Sequence, residues 1–212
     1  LDLANNNIGG VSDYIEEDEL QGTSFEKGDT VQYNGQQCIV IMDEDGDGAL
    51  KVQNISGVGA IQALAEALKF NRALTTLNVS GNNIGDDGKI AIGDALLSSS
   101  TSKLQFLTCT EWSIKANTPS LNLDNKRLTA ADAKLLAGVI KFNRALTSVN
   151  LLQNDLGDGA AAIVAAAKQR GNIKTLCGIK DGQTVADFSK CWRTKKLQAP
   201  DAVLLRFDIE FN

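Results

Sequence analysis

The sequence predicts an α/β solenoid, with a parallel sheet on one face, helices on the other, and a small all-β insertion near the start. Three observations predict it. The phrase KFNRALT occurs twice, at 69–75 and at 141–147. The residues after each copy are also shared: Leu77-Asn78-Val79 with Asn82, Ile84 and Gly85 is answered by Val149-Asn150-Leu151 with Asn154, Leu156 and Gly157. The chain also opens on the same pattern, at Leu1, Leu3, Asn6, Ile8 and Gly9. Internal repetition marks stacked units rather than one globular core. Such stacks bind along extended surfaces more often than they catalyse.

The pattern L-x-L-x-x-N-x-L serves as a ruler. It fits Leu1/Leu3/Asn6/Ile8, Leu77/Val79/Asn82/Ile84 and Val149/Leu151/Asn154/Leu156. Degenerate copies stand at Leu107/Cys109/Trp112/Ile114 and at Leu121/Leu123/Lys126/Leu128, and the signal fades at Leu176 and Phe188. Alternating apolar residues predict a short strand with one buried face. The Asn then turns the chain and bonds backbone groups that would otherwise be unpaired. A parallel sheet is expected to bury Leu77, Val79, Leu121, Leu123, Val149 and Leu151.

Helical spacing comes next along the chain. Ile61, Leu64, Ala65 and Leu68 fall at i, i+3, i+4, i+7, as do Ala133, Leu136, Ala137 and Ile140; each set gives a helix one apolar face. Thr129 with Asp132 three positions on reads as a helix start. Ala160 to Lys168 predicts an Ala-rich helix ended by Gly171. Pro200 opens a last helix through Ala202, Leu205 and Ile209. Asp86, Asp87 and Asp158 are placed at first helical turns, where acids favour the positive end of the dipole. Leu121 to Val149 is 28 positions, but Leu107 to Leu121 is only 14 and contains Pro119, too short for a helix. There the chain is expected to loop straight back to the next strand.

These residues resemble leucine-rich repeats of the ribonuclease-inhibitor type, in which strand and helix alternate in a horseshoe. The resemblance covers residues 1–10 and 55–212, and departs from the pattern at Trp112, Lys126 and the short spacer between them. It implies a protein-binding surface on the strand face. Residues 1–12 then read as a partial first repeat and 55–212 as repeats that degenerate towards the C-terminus.

Residues 13–54 do not obey the ruler. An acidic patch (Asp13, Glu16, Glu17, Asp18, Glu19) precedes three predicted strands at Thr30–Tyr33, Gln37–Met42 and Ala49–Val52. Asn34-Gly35 is a hairpin signal. This segment resembles the small SH3-like or KOW-type barrels, with Phe25, Tyr33 and Ile39 as its core. Asp43, Asp45 and Asp47 with Gly48 are similar to an EF-hand calcium loop, but Asn54 stands where a bidentate Glu is needed. A structural turn is the favoured reading, and no metal or other cofactor is expected.

The chain has 212 residues, a formal net charge of −5 and a pI of about 4.8. It lacks the basic stripe that nucleic-acid binding needs, so no nucleic-acid partner is expected. It contains no histidine, which removes the commonest general base and metal ligand. The four cysteines, Cys38, Cys109, Cys177 and Cys191, form no C-x-x-C pair and read as buried thiols; an intracellular place, cytoplasmic or organellar, is favoured. The longest apolar run, Ala160 to Ala167, is far short of the ~20 residues that span a bilayer. Because Leu1 falls inside a repeat, the natural N-terminus is expected to lie beyond it. Lys190, Arg193, Lys195 and Lys196 beside Trp192 read as a solvated face, and Trp112 as core.

Residues between the buried strand positions face outward. They are Asn78, Ser80, Thr108, Thr110, Glu111, Asn122, Asp124, Asn150, Leu152 and Gln153, a polar surface without a nucleophile and base. The chain is therefore expected to be a non-enzymatic scaffold that binds protein partners through its repeats. A structural or linker subunit of a large assembly is the alternative, and a calcium-regulated adaptor the next.

Overall fold

A computed structural model describes residues 1–3, 12–16, 30–33, 36–42, 49–180, 182–188 and 197–211, with side chains for 1–3, 59–180, 182–188 and 197–210. The first ruler copy (Asn6, Ile8, Gly9), Phe25, the acids Asp43, Asp45 and Asp47, and the stretch Lys190 to Lys196 with Trp192 lie outside the described residues.

Within residues 12–54, four strands form one antiparallel sheet in the order β1-β4-β3-β2: β1 Ser12–Glu16, β2 Thr30–Tyr33, β3 Gln36–Met42 and β4 Ala49–Asn54. Tyr33 pairs with Gln36 across β2 and β3, as the Asn34-Gly35 signal predicts. β1 is unforeseen. The acidic patch hides it, because Ser12-Asp-Tyr-Ile-Glu16 carries polar residues on both faces and pairs with β4 through its backbone.

α1 (Ile55–Phe70) follows β4 directly. Ile61, Ala65 and Leu68 are buried and Leu64 partly so, as their spacing requires. The chain then alternates: β5 Thr76–Asn78, α2 Gly85–Ser98, β6 Phe106–Thr108, β7 Ser113–Ile114, β8 Ser120–Asn122, α3 Ala130–Ile140, β9 Ser148–Asn150, α4 Gly159–Arg170 and α5 Ala199–Phe211. Consecutive helices pack on one another from α1 to α5. Strand and helix side chains share one apolar core, with Leu77, Leu107, Leu136, Val149, Leu151 and Ile163 fully buried in it.

Local rules place the helix ends. Asp86 and Asp87 sit in the first turn of α2. Thr129 and Asp132 form a reciprocal capping box on α3. Asp158 is one position earlier than expected, as the N-cap of α4. Gly171 closes α4 with a left-handed φ of 73°. α5 starts at Ala199, so Pro200 is its second residue. Its buried face is not Ala202, Leu205 and Ile209, since Ile209 is 76% exposed; Leu204, Phe207, Asp201 and Asp208 are buried instead.

α3 is buried on almost every side because it lies between α2 and α4. Its approach to α2 depends on glycine. A Cβ on Gly93 would fall 2.8 Å from the Lys134 carbonyl, and one on Gly138 would fall 2.9 Å from Leu96 Cβ. Both are closer than real contacts allow, so these helices pack nearer than side chains permit.

The strand layer differs from the expected single parallel sheet. Leu1–Leu3 bridges β5 in parallel, and β5 pairs with β6 in parallel. β7 then pairs antiparallel with β6. β8 and β9 form a separate parallel pair, extended by bridges to Thr175 and Cys177. The cause is the short spacer. With no helix to carry the chain away, residues 109–112 reverse it, and β7 takes the edge of β6 that β8 would have used. Leu121, next to this break, is only partly buried.

Candidate functional site

The ends of β5, β8 and β9 are built the same way. Asn78 Oδ1 accepts from Ser80 N at 3.1 Å, Asn122 Oδ1 from Asp124 N at 3.2 Å, and Asn150 Oδ1 from Leu152 N at 3.3 Å. These are Asx turns, and they spend one side-chain oxygen on the backbone. The next residue is left-handed in each copy: Gly81 at φ 70°, Asn125 at 53° and Gln153 at 63°.

Behind the turn stand the buried asparagines. Asn82 Nδ2 donates to Leu3 O, Val79 O and Ser80 O. Asn154 Nδ2 donates to Leu123 O at 2.8 Å and Leu151 O at 2.9 Å, while its Oδ1 accepts from Lys126 N and Leu128 N, each at 3.0 Å. Asn154 thus ties its turn to the backbone of the neighbouring copy, whose own ladder position is Lys126. Trp112 is 4% exposed, in the core, and its Nε1–H has no acceptor.

The predicted surface residues divide into three groups. Thr110, Glu111 and Asn122 are exposed, and Asn78, Ser80, Thr108, Asp124 and Asn150 are half-buried. Thr108 hydrogen-bonds Ser113 across the β6–β7 pair at 2.7 Å. Burial raises the pKa of Asp124, and the charge of Asp201 adds to the effect. Leu152 and Gln153 are 5% and 4% exposed and leave the surface. Asp201 of α5 accepts from Gln153 N at 2.8 Å and covers that turn.

On the strand side a groove of about 420 Å³ lies over β8 and β9. Ser120, Asn122, Ser148 and Asn150 form its floor, and Lys174, Gly178, Ile179 and Lys180 its far wall. The sequence missed that wall because 174–180 follows no ruler copy.

Glu111 faces a buried cation. Lys89, 6% exposed, reaches Glu111 Oε1 at 2.8 Å and lies 2.9 Å from Asp132 Oδ1. Burial works to lower the Lys89 pKa, but the two carboxylates outweigh it and leave it raised. Burial pushes the Cys109 thiol up to about 12 and Cys177 higher still, so both are inert as nucleophiles near neutral pH. Among the described residues no cluster of His, Cys, Asp or Glu could hold a metal, and no helix is long and apolar enough to cross a membrane.

Comparison with known proteins matches this geometry. A family model described as Leucine Rich repeat matches residues 70–93, from the end of α1 through β5 into α2. The pig (Sus scrofa) ribonuclease inhibitor is 32% identical over 101 residues, which are 48% of this chain and 19% of that protein. The human (Homo sapiens) NACHT, LRR and PYD domains-containing protein 2 is 28% identical over 149 residues, 70% of this chain and 12% of that protein. The chain thus spans less than a fifth of the length of these relatives. It contains a leucine-rich repeat, and its alternating short strands and helices are of that α/β kind.

Proposed function

We propose that this chain is a non-enzymatic, solenoid-forming scaffold that binds other proteins through its strand-end face. The observation that carries the reading is the groove over β8 and β9, where Ser120, Asn122, Ser148, Asn150 and Lys180 stand among the apolar Leu121 and Ile179. The described residues supply protein-contact chemistry there, namely amides, hydroxyls and lysine ammonium groups beside apolar side chains. The described thiols are buried, with raised pKa values, and the chain has no histidine. A relative named for inhibiting a ribonuclease supports a protein partner. The segment around 12–54 is proposed as an SH3-like module carried by the repeats.

A second reading, a fixed subunit of a larger assembly, is favoured by one observation. Phe70, Val185 and Ile209 are 77%, 74% and 76% exposed, apolar side chains that a permanent partner would cover. A native pull-down with the co-purifying proteins counted separates the two. A salt-sensitive partner lost from the Ser120→Arg/Lys180→Glu variant, with an unchanged circular dichroism spectrum, supports the scaffold. A partner held at fixed stoichiometry by both forms overturns it in favour of the subunit.

A further inference from the structure

A second concavity, of about 190 Å³, shares no lining residue with the strand-side groove. It lies at the turns that lead into β6 and β9, and Ser102, Lys103, Lys141, Phe142, Arg144 and Arg170 line it. Four of these side chains are cations and none is a carboxylate, in a chain whose net charge is −5. They come from three separate segments: the loop after α2, the turn after α3 and the last turn of α4.

Capping accounts for part of this cluster. Lys141 Nζ donates to Leu97 O at 2.6 Å and Ser99 O at 2.8 Å, and Arg170 Nε donates to Asn143 O at 2.8 Å. These are favourable contacts of cations with carbonyls at helix C-termini. They leave the terminal guanidinium nitrogens of Arg170 unassigned. Lys103 and Arg144 make no side-chain hydrogen bond among the described residues, and none of the four cations pairs with an acid there. Burial lowers the pKa of Lys141, as it does for an ammonium without a counter-charge. Like charges held together repel, and an anion of matching geometry relieves the repulsion. Two guanidinium forks suit the oxygens of a phosphate, which also carries close to two negative charges. The volume admits one such group.

We propose that this pocket binds a phosphate dianion, either free or as a monoester on a phosphorylated side chain of a protein partner. Calorimetric titration of the full chain tests it with two probes, inorganic phosphate and a short phosphoserine peptide beside its unphosphorylated form. Saturable binding is expected, weakened about tenfold or more in Lys103→Gln/Arg144→Gln, whose native side chains hold nothing in the fold. Arg170→Lys, which keeps the charge but loses the fork, should also weaken it. Phosphopeptide binding tighter than phosphate identifies the side-chain source, and equal binding identifies the free anion. The proposal is overturned if neither probe saturates, if the unphosphorylated peptide binds as well, or if the folded double variant binds like the native chain.

Discussion

Asparagine side chains replace missing backbone partners at three kinds of turn. The repeated KFNRALT owes its repetition to one of them. Asn71 Oδ1 accepts from Ala73 N at 3.0 Å and Leu74 N at 2.7 Å, and Asn143 Oδ1 accepts from Ala145 N and Leu146 N at the same distances. Asn82 and Asn154 close the strand-to-helix turn, and both were legible because an Asn at a fixed distance from alternating leucines has little else to do. Replacing either with Ala leaves buried backbone groups unpaired, at a cost of about 1–3 kcal/mol. Thermal melts of Asn82→Ala and Asn154→Ala check the cost, and melting temperatures unchanged by both substitutions would refute it. Asp208 was not legible, because an acid on a helix ordinarily faces water. Here it is fully buried and accepts from Leu176 N, Cys177 N and the Thr175 hydroxyl. Burial raises its pKa against the opposing pull of these bonds. A carboxyl whose folded pKa lies above its unfolded value contributes stability that is complete below the unfolded value, about 3.9. That contribution is lost as pH rises through the folded value. The melting temperature of the native chain should therefore carry a decline above about pH 4 that Asp208→Asn lacks. Parallel pH profiles for the two forms would refute this.

Among the elements, those whose apolar residues recur at helical spacing were readable in advance. α1 and α3 bury the faces their sequences define, and Thr129 with Asp132 marks a start that the backbone adopts. α5 was readable as a helix but not in its orientation. Two buried carboxylates turn it, since Asp201 and Asp208 must reach the bare N–H groups of Gln153 and of Leu176 and Cys177. Hydrophobic periodicity carries no signal for such a demand. The glycine contacts between α2 and α3 were equally silent, because a glycine inside a helix gives no hint of what approaches it. Gly138→Ala should destabilise the chain by about 1–3 kcal/mol by overpacking, despite the better helix propensity of Ala. Chemical denaturation measures it, and a stabilised variant would show that Leu96 yields.

At the scale of the molecule, the repeats declared themselves through recurrence, and the segment around 12–54 through its failure to recur. Deleting that segment and joining Gly10 to Ile55 should leave the helical circular dichroism signal and a cooperative melt, because the packed core of the later repeats includes α1 through α5 without it. An unfolded variant would show that the repeats lean on the segment. The strand-side groove was half legible: its floor is strand, which the ruler predicts, while its wall at 174–180 lies where the pattern has faded.

The break between β7 and β8 has a consequence for how the fold comes apart. Within β5–β6–β7, and again within β8–β9, backbone ladders tie each strand to the next. Among the described strands no ladder crosses between the two groups. What joins them is the packing of α2 on α3 at its glycines, with side-chain bonds such as Asn143 Nδ2 to Gln105 O and Lys141 Nζ to Leu97 O, and the Lys89–Asp132 ion pair. Repeat proteins transmit order between neighbours, and here one junction lacks half of its means. Amide hydrogen exchange should therefore show two opening units rather than one. Leu107, in β6, and Val149, in β9, should report different opening free energies, and Gly138→Ala should widen the gap between them. A single shared value at both amides would show that helix packing alone makes the chain open as one.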